Sequence, residues 1–356
     1  MESVFKISGK EMKGLNVGIA GYGIVGKKRH ACVKNHKNVR IVGVCDRNKE
    51  VGKSLGKDIK FFKSYKNLLR EKLDAIFVCM PNNIAPLVCK EAIKRGIHVF
   101  CEKPPGRNVQ DILDVIELQS FNPSVKIMYG FNHRYHDSVV EAQKIIKSRQ
   151  LGKIINLKGT YGKSKLITFN QPDWRTKRDI AGGGVLLDQG IHMLDLMRLF
   201  AGEFNQVSSF ISNGHWNHDV EDNAYALMKT EDNIVGFIHS SATQWRHRFN
   251  LEINLQHGSI ILGGILSGTK SYGAETLRVV EADPDNDRGD PKEKMTRYNK
   301  DPSWNLEVDY FIDSIKKSRQ IKKGSPKDAL ATMKLVNRIY YADKDWRNRF
   351  DIKDFD

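Results

Sequence analysis

Lysine, aspartate and histidine occur in two stretches of this sequence where proton chemistry is a natural use for them. The first is Cys101-Glu102-Lys103-Pro104-Pro105, in which Lys103 closes an apolar run. A lysine at the carboxyl end of a strand in an open α/β sheet faces the ligand crevice. There it can donate to a hydroxyl or carbonyl oxygen and stabilise an alkoxide as it forms. The second is Gly182-Gly183-Gly184, leading into a mostly apolar segment that carries Asp188, His192 and Asp195. These three stand at i, i+4 and i+7, on one face of a helix. A polar stripe on a buried helix needs partners or a cavity. His192 can take a hydroxyl proton near neutral pH, with Asp188 orienting it or binding the substrate. A satisfied core Asp–His pair is the alternative use of the same residues. Two ligands at i and i+4 could also hold a metal, but no third ligand is evident, so no metal is expected.

Directly before the glycine run comes Asn170-Gln171-Pro172-Asp173-Trp174-Arg175-Thr176-Lys177-Arg178. Trp174 can lie against a sugar ring or a base. Arg175 and Arg178 can grip a phosphate or carboxylate in bidentate fashion, or they can bind acidic residues of a neighbouring loop or subunit. Asn132, His133, Arg134 and Tyr135 follow another apolar run, Lys126 to Phe131, and are expected to line the same crevice.

The elements that must position these groups are legible around them. Gly21-Tyr22-Gly23-Ile24-Val25-Gly26 matches G-x-G-x-x-G, follows the apolar run Leu15 to Ala20 and opens a helical pattern. In that context the glycines allow a tight turn, close approach of a pyrophosphate and close helix–strand packing. The helix amino terminus offers free N–H groups to the phosphates. Asp46 lies 20 residues after Gly26, where an acid would bind the adenosine ribose hydroxyls. That predicts NAD. Arg47 beside it can stack on adenine or accept a 2′-phosphate, which keeps NADP as an alternative. Pro81 and Asn82, at the end of a later apolar run, and Glu102 with Lys103 complete the expected cofactor contacts.

Strand and helix patterns alternate to about residue 134. That predicts a Rossmann domain over 14–134, with a doubly wound parallel sheet, after a polar lead-in over 1–13. Strands around 154–161, 205–212, 223–229, 234–242, 249–256 and 259–263, joined by tight turns, predict an α+β domain over 135–346. Its sheet is expected to be open and mostly antiparallel, with helices on one face. Residues 282–302 read as an exposed loop, helices are expected near 303–318 and 326–343, and 347–356 reads as a tail.

The glycine fingerprint, Glu102-Lys103-Pro104 and the Gly182-Gly183-Gly184…Asp188…His192 segment, in that order, resemble the glucose–fructose oxidoreductase, inositol dehydrogenase and MocA (Gfo/Idh/MocA) family. The resemblance runs from about residue 14 to about 345. It implies Lys103, Asp188 and His192 as catalytic residues. It also implies hydride transfer between a nicotinamide and a carbon of a sugar, cyclitol or nucleotide-linked sugar. A nucleotide-linked sugar is the leading expectation, given the two arginines. A free sugar or inositol comes second, and redox-assisted glycoside cleavage or a non-catalytic dinucleotide-binding regulator stand further off. Many members have a histidine three residues after the Pro-Asn pair, where this chain has Ala85.

The formal net charge of +16 comes from scattered lysines and arginines without a nucleic-acid motif. It reads as a solvated basic surface or a field that attracts an anionic small substrate, so no nucleic acid is expected as partner. No run approaches the ~18 apolar residues of a membrane span, and the first residues lack a long apolar signal region. A cytoplasmic protein is therefore expected. The five cysteines form no C-x-x-C pair and suit core packing in a reducing compartment. An open sheet with a second apolar face, supplied by Phe210, Leu227, Ile238 and Ile253, predicts a homodimer or homotetramer.

Overall fold

The computed structural model describes residues 14–37, 39–167, 173–267 and 270–355. The lead-in expected for 1–13 lies outside them. Strands β1 (Leu15–Ala20), β2 (Val39–Cys45), β3 (Lys60–Phe62), β4 (Ala75–Val78), β5 (His98–Glu102) and β6 (Ile127–Gly130) form a parallel sheet in the order 3-2-1-4-5-6. This is the doubly wound dinucleotide order, with its ligand crevice at the carboxyl ends of β1 and β4. Along β4, Ala75 and Phe77 enter one buried layer while Ile76 and Val78 enter the other. Both faces are covered, so every β4 residue is apolar. The helices of this half are α1 (Ile24–Lys34), α2 (Glu50–Lys53), α3 (Tyr65–Leu68), α4 (Ala85–Lys94) and α5 (Val109–Ser120).

The second half opens with α6 (Asp137–Ser148). Its sheet contains β7 (Ile154–Gly162), β8 (Phe204–Ser212), β9 (Asn223–Thr230), β10 (Val235–Ser241), β11 (Arg248–Leu255), β12 (Gly258–Gly263), β13 (Glu275–Glu281) and β14 (Lys292–Tyr298). The order is 14-13-12-11-7-10-9-8, and only β7 and β10 pair in parallel. The remaining helices are α7 (Arg178–Ala181), α8 (Ile191–Ala201), α9 (Ser303–Lys316), α10 (Pro326–Ala342) and α11 (Lys344–Phe350). No helix among the described residues is long and apolar enough to cross a membrane.

Three features differ from the sequence reading. The stretch 282–302 is not all loop, because β14 pairs with β13 inside it. Six of its seven residues, Lys292 to Arg297, are exposed, so this edge strand has no apolar alternation to reveal it. The tail 347–356 begins inside α11. Finally, α9 returns to the first sheet: Phe311 meets Phe77 and Phe100 edge-on, with ring centroids 5.8 and 5.6 Å away. The segment 135–346 therefore completes the core of the Rossmann half as well as its own.

One face of the second sheet packs on α8 and α10, and its core takes Ile238 and Ile253, both fully buried. These two therefore do not belong to the opposite face, as the alternation had suggested. Phe210 (76% exposed) and Leu227 (55%) do lie there. Tyr225 pairs with Phe210 on one side and stacks on His239 at 4.1 Å on the other.

Candidate active site

The glycine turn sits where β1 ends. Gly21 has φ +91°, and a Cβ on Gly26 would stand 2.0 Å from the Gly21 oxygen. Only glycine lets α1 pack this close to the turn that precedes it. The space around Gly23 is open for 4 Å. The first α1 hydrogen bond runs from Lys27 N to Gly23 O at 3.0 Å, so the preceding amides, on Ile24, Val25 and Gly26, have no acceptor within the helix. An open approach and amides at a helix amino terminus fit a dinucleotide pyrophosphate. Asp46, just past β2, accepts from Tyr22 N at 2.7 Å and Asn48 N at 2.8 Å. It caps the turn and stands beside the glycines, with Arg47 exposed next to it. The Tyr22 hydroxyl bonds His30 Nδ1 at 2.8 Å, which turns that ring back onto α1. Pro81 starts α4 by accepting from Ile84 N and Ala85 N. Asn82 is buried and donates to the Ala181 carbonyl at 2.7 Å, tying the loop after β4 to the glycine run.

Glu102 has a different job from the cofactor contact expected of it. Its carboxylate accepts from Arg29 Nε at 2.5 Å, and Arg29 Nη2 reaches Glu307 of α9 at 2.5 Å. Arg29 is fully buried, with its guanidinium 4.4 Å from the Phe100 ring and 4.2 Å from Trp304. This paired and sandwiched cation joins α1, β5 and α9, and it anchors the backbone immediately before Lys103.

Lys103 follows β5, and its peptide bond to Pro104 is cis. Its Nζ donates to the backbone oxygen of Asp188 at 2.5 Å. Burial lowers the pKa of this lysine; Asp188 opposes the shift, while Arg175 and Lys163 reinforce it. The segment carrying Asp188 is not a regular helix. Leu186–Gly190 forms one wide π-turn, and α8 starts only at Ile191. The extra residue in that turn breaks the i, i+4, i+7 register expected for Asp188, His192 and Asp195. The Asp188 carboxylate accordingly meets Lys163 Nζ at 3.0 Å and Arg175 Nε at 3.2 Å, not His192. Burial would raise its pKa, but Lys163, Lys103 and Arg175 together hold it far below the usual carboxylate range. The carboxylate stays charged at every physiological pH.

His192 is buried, and its Nδ1 has no hydrogen-bond partner among the described residues. Its ring stacks on His133, which is itself held by Asn132 Oδ1 at 3.3 Å and the Tyr161 hydroxyl at 3.2 Å. Burial, reinforced by the charges of Lys103 and His136, pushes His192 well below the ordinary histidine value. The ring is neutral at neutral pH and can accept a proton.

The structure thus brings Lys103, Asp188, His192 and Arg175 together, with Asn132 touching the cluster through His133. Other expected substrate contacts lie elsewhere. Arg134 is held in a buried network, bidentate to Asp195 at 2.6 and 2.7 Å and bonded to Asp328 at 3.1 Å. Tyr135 packs beside Tyr310 in the core under α9. Arg178 lies 4.0 Å over the Phe350 ring, near Tyr340 and Trp346, on the side of α10 and α11. Trp174 stacks on Arg175 at 4.5 Å. Asn170, Gln171 and Pro172 of the same loop lie outside the described residues, and of the Asp173 side chain nothing is described.

Sequence reasoning missed two residues, Lys163 and Glu221. Lys163, directly after β7, is buried with its ammonium on Asp188; its place at a strand end was the available signal. Glu221 is fully buried and accepts from Gly184 N, Leu186 N and the Tyr340 hydroxyl at 2.7–2.9 Å. It fixes the start of the π-turn, and nothing in its local sequence marks it. Among the described residues, no group of three or more His, Cys, Asp or Glu side chains could hold a metal ion.

Residues 15–130 match the family model described as oxidoreductase family, NAD-binding Rossmann fold. Residues 139–261 match the GFO/IDH/MocA C-terminal domain. The chain is 26% identical over 215 residues to levoglucosan dehydrogenase of Pseudarthrobacter phenanthrenivorans, covering 56% of this chain and 55% of that protein. It is 30% identical over 190 residues to D-glucoside 3-dehydrogenase of Escherichia coli, covering 51% and 52%. The chain spans about half the length of these curated relatives. A solved structure of levoglucosan dehydrogenase with NADH superimposes with a TM-score of 0.82 at 19% identity, over 94% of this chain and 98% of that one. At that identity the likeness is one of fold.

Proposed function

Because the chain belongs to the Gfo/Idh/MocA oxidoreductase family, we propose that it is an NAD-dependent dehydrogenase or reductase of a free sugar, glycoside or cyclitol. The observation that carries this reading is the hydrogen bond from Lys103, beside the cofactor crevice, to the backbone of Asp188, four residues before the neutral His192. A nicotinamide held in the crevice would supply the hydride acceptor or donor. The open glycine turn and the α1 amides would hold the pyrophosphate, and Asp46 the adenosine ribose. Lys103 would donate to the reacting oxygen and stabilise the alkoxide. His192 would take the hydroxyl proton on its neutral imidazole, and the π-turn would keep the two side chains in register.

A free sugar replaces the nucleotide-linked sugar as the leading substrate on geometric grounds. A diphosphate grip needs Arg175 and Arg178 side by side. Arg175 instead reaches Asp188, while Arg178 lies over Phe350. The relatives named above are also dehydrogenases of a sugar and a glucoside by name. The direct test is NADH formation at 340 nm by the purified protein with free sugars, glycosides, inositols and nucleotide sugars. Turnover confined to nucleotide sugars would overturn the reading.

We also propose that the uncovered face of the second sheet pairs with a second copy of the chain. It presents Phe210, Tyr225, Leu227 and Val235 as exposed apolar side chains on adjacent strands, more than scattered single residues would supply.

A further inference from the structure

We propose that the substrate carries a carboxylate and that Arg175, with Lys163, binds it beside Asp188. This rests on the sugar oxidoreductase reading and narrows its substrate to sugar acids. Three cationic side chains, Lys103, Lys163 and Arg175, bear on the single carboxylate of Asp188. The other acid at this place, Glu102, is already paired with Arg29. Three positive charges against one negative leave a surplus of two. Even a Lys103 that has given up its proton leaves a surplus of one. Charges this far out of water need compensation, and Lys163 and Arg175 are only 10% and 21% exposed.

The arrangement of Arg175 says what would compensate it. Its Nε is taken by Asp188 Oδ1, and its guanidinium plane is fixed against Trp174 at 4.5 Å. Nη1 and Nη2 have no hydrogen-bond partner among the described residues. They form a rigid two-pronged edge that suits a planar carboxylate. Lys163 uses one N–H on Asp188 Oδ2 and has two more to offer. Tyr161 and Tyr272, with ring centroids 5.2 Å apart, stand close to Asp188 and supply a wall for the sugar ring. A single free guanidinium edge fits one planar carboxylate, and a diphosphate would need a second such edge.

The test is calorimetric titration of the protein–NADH complex with D-glucuronate and D-galacturonate, alongside D-glucose, D-galactose and glucose 6-phosphate. At least one uronate should bind about 10-fold or more tightly than its parent hexose, the size of one charge-assisted hydrogen bond. The advantage should weaken with salt and be lost in Arg175→Leu, while Arg175→Lys keeps part of it; unchanged circular dichroism shows that both variants are folded. No uronate advantage, an advantage that survives Arg175→Leu, or a gain for the phosphate alone overturns the proposal. Turnover separates the two readings. Uronate binding that depends on Arg175, with no sugar turned over, would sink the oxidoreductase and leave the anion site standing. Turnover of neutral hexoses with no uronate preference in binding would do the reverse.

Discussion

His192 and His133 lie face to face, with ring centroids 3.8 Å apart and planes 11° from parallel. His136 meets His133 edge-on at 5.5 Å and is itself bonded to Glu275 at 2.8 Å, and Phe131 meets the edge of His192. Two imidazolium ions cannot share so small a buried space. Burial first, then neighbouring positive charge from Lys103 and the other histidines, depresses both rings below the ordinary value of 6.5.

This pair makes stability depend on pH. The folded-state values are depressed, so below 6.5 the unfolded chain binds protons that the folded chain refuses. The contribution of the pair is therefore complete above pH 6.5 and is lost as pH falls towards the depressed folded-state values. His133→Phe keeps a flat ring on His192 and removes one titrating group. Urea midpoints between pH 7.5 and 5 should fall less steeply in this variant than in the native protein. Parallel curves would show that the pair does not titrate as described.

Lys163 is the largest of the cationic influences holding Asp188 ionised. In Lys163→Met the Asp188 pKa should rise, but Lys103 and Arg175 still hold the carboxylate charged, so the effect should appear in the amplitude of kcat/KM and not as a new acid limb. At neutral pH kcat/KM should drop by about 10-fold, the value of one charge-assisted hydrogen bond. An unchanged kcat/KM would mean that Lys163 is not needed to hold Asp188 in place.

Asp46 stands at the end of β2 with both carboxylate oxygens turned to the amides of Tyr22 and Asn48. A 2′-phosphate there would meet a carboxylate. Two unit charges about 4 Å apart repel by roughly 4 kcal/mol at an effective dielectric of 20, and by less where water screens them. NADH should bind more tightly than NADPH in a fluorescence titration, and Asp46→Ser should narrow the gap. Equal or tighter binding of NADPH by the native protein would mean that Arg47 dominates instead.

The exposed side chains on β8, β9 and β10 predict self-association. Light scattering at micromolar concentration should give a dimer or tetramer, and Phe210→Lys with Leu227→Lys should give a monomer of unchanged circular dichroism. A native monomer would leave that apolar face without the proposed use.

Much of this architecture was legible because its signals are local. The fingerprint after β1, the buried runs at β4 and β5 and the alternation in β7 to β12 are visible within ten residues of sequence. Lys103, Asp188 and His192 could be picked out because polar groups stand out in apolar segments. What failed depends on distant contacts. The register of Asp188 to Asp195 was lost to a π-turn held by Glu221, which is 33 residues past Asp188. Arg134 looked like a crevice residue and Arg178 like an anion ligand, but their partners Asp195, Asp328 and Phe350 come from elsewhere in the chain. β14 went unseen because its exposed, charged residues follow no pattern except their pairing with β13.

The central claim is that Lys103 and His192 carry the proton and charge movements of a nicotinamide-dependent reaction. It is tested most directly by comparing kcat with NADH affinity in Lys103→Ala and His192→Ala, on a substrate found in the sugar screen. General acid–base catalysis is worth about 10²–10⁴-fold. Each variant should lose kcat by a factor in that range while its dissociation constant for NADH stays within a few-fold of native. Near-native kcat in either variant would contradict the account and return that residue to a purely structural role.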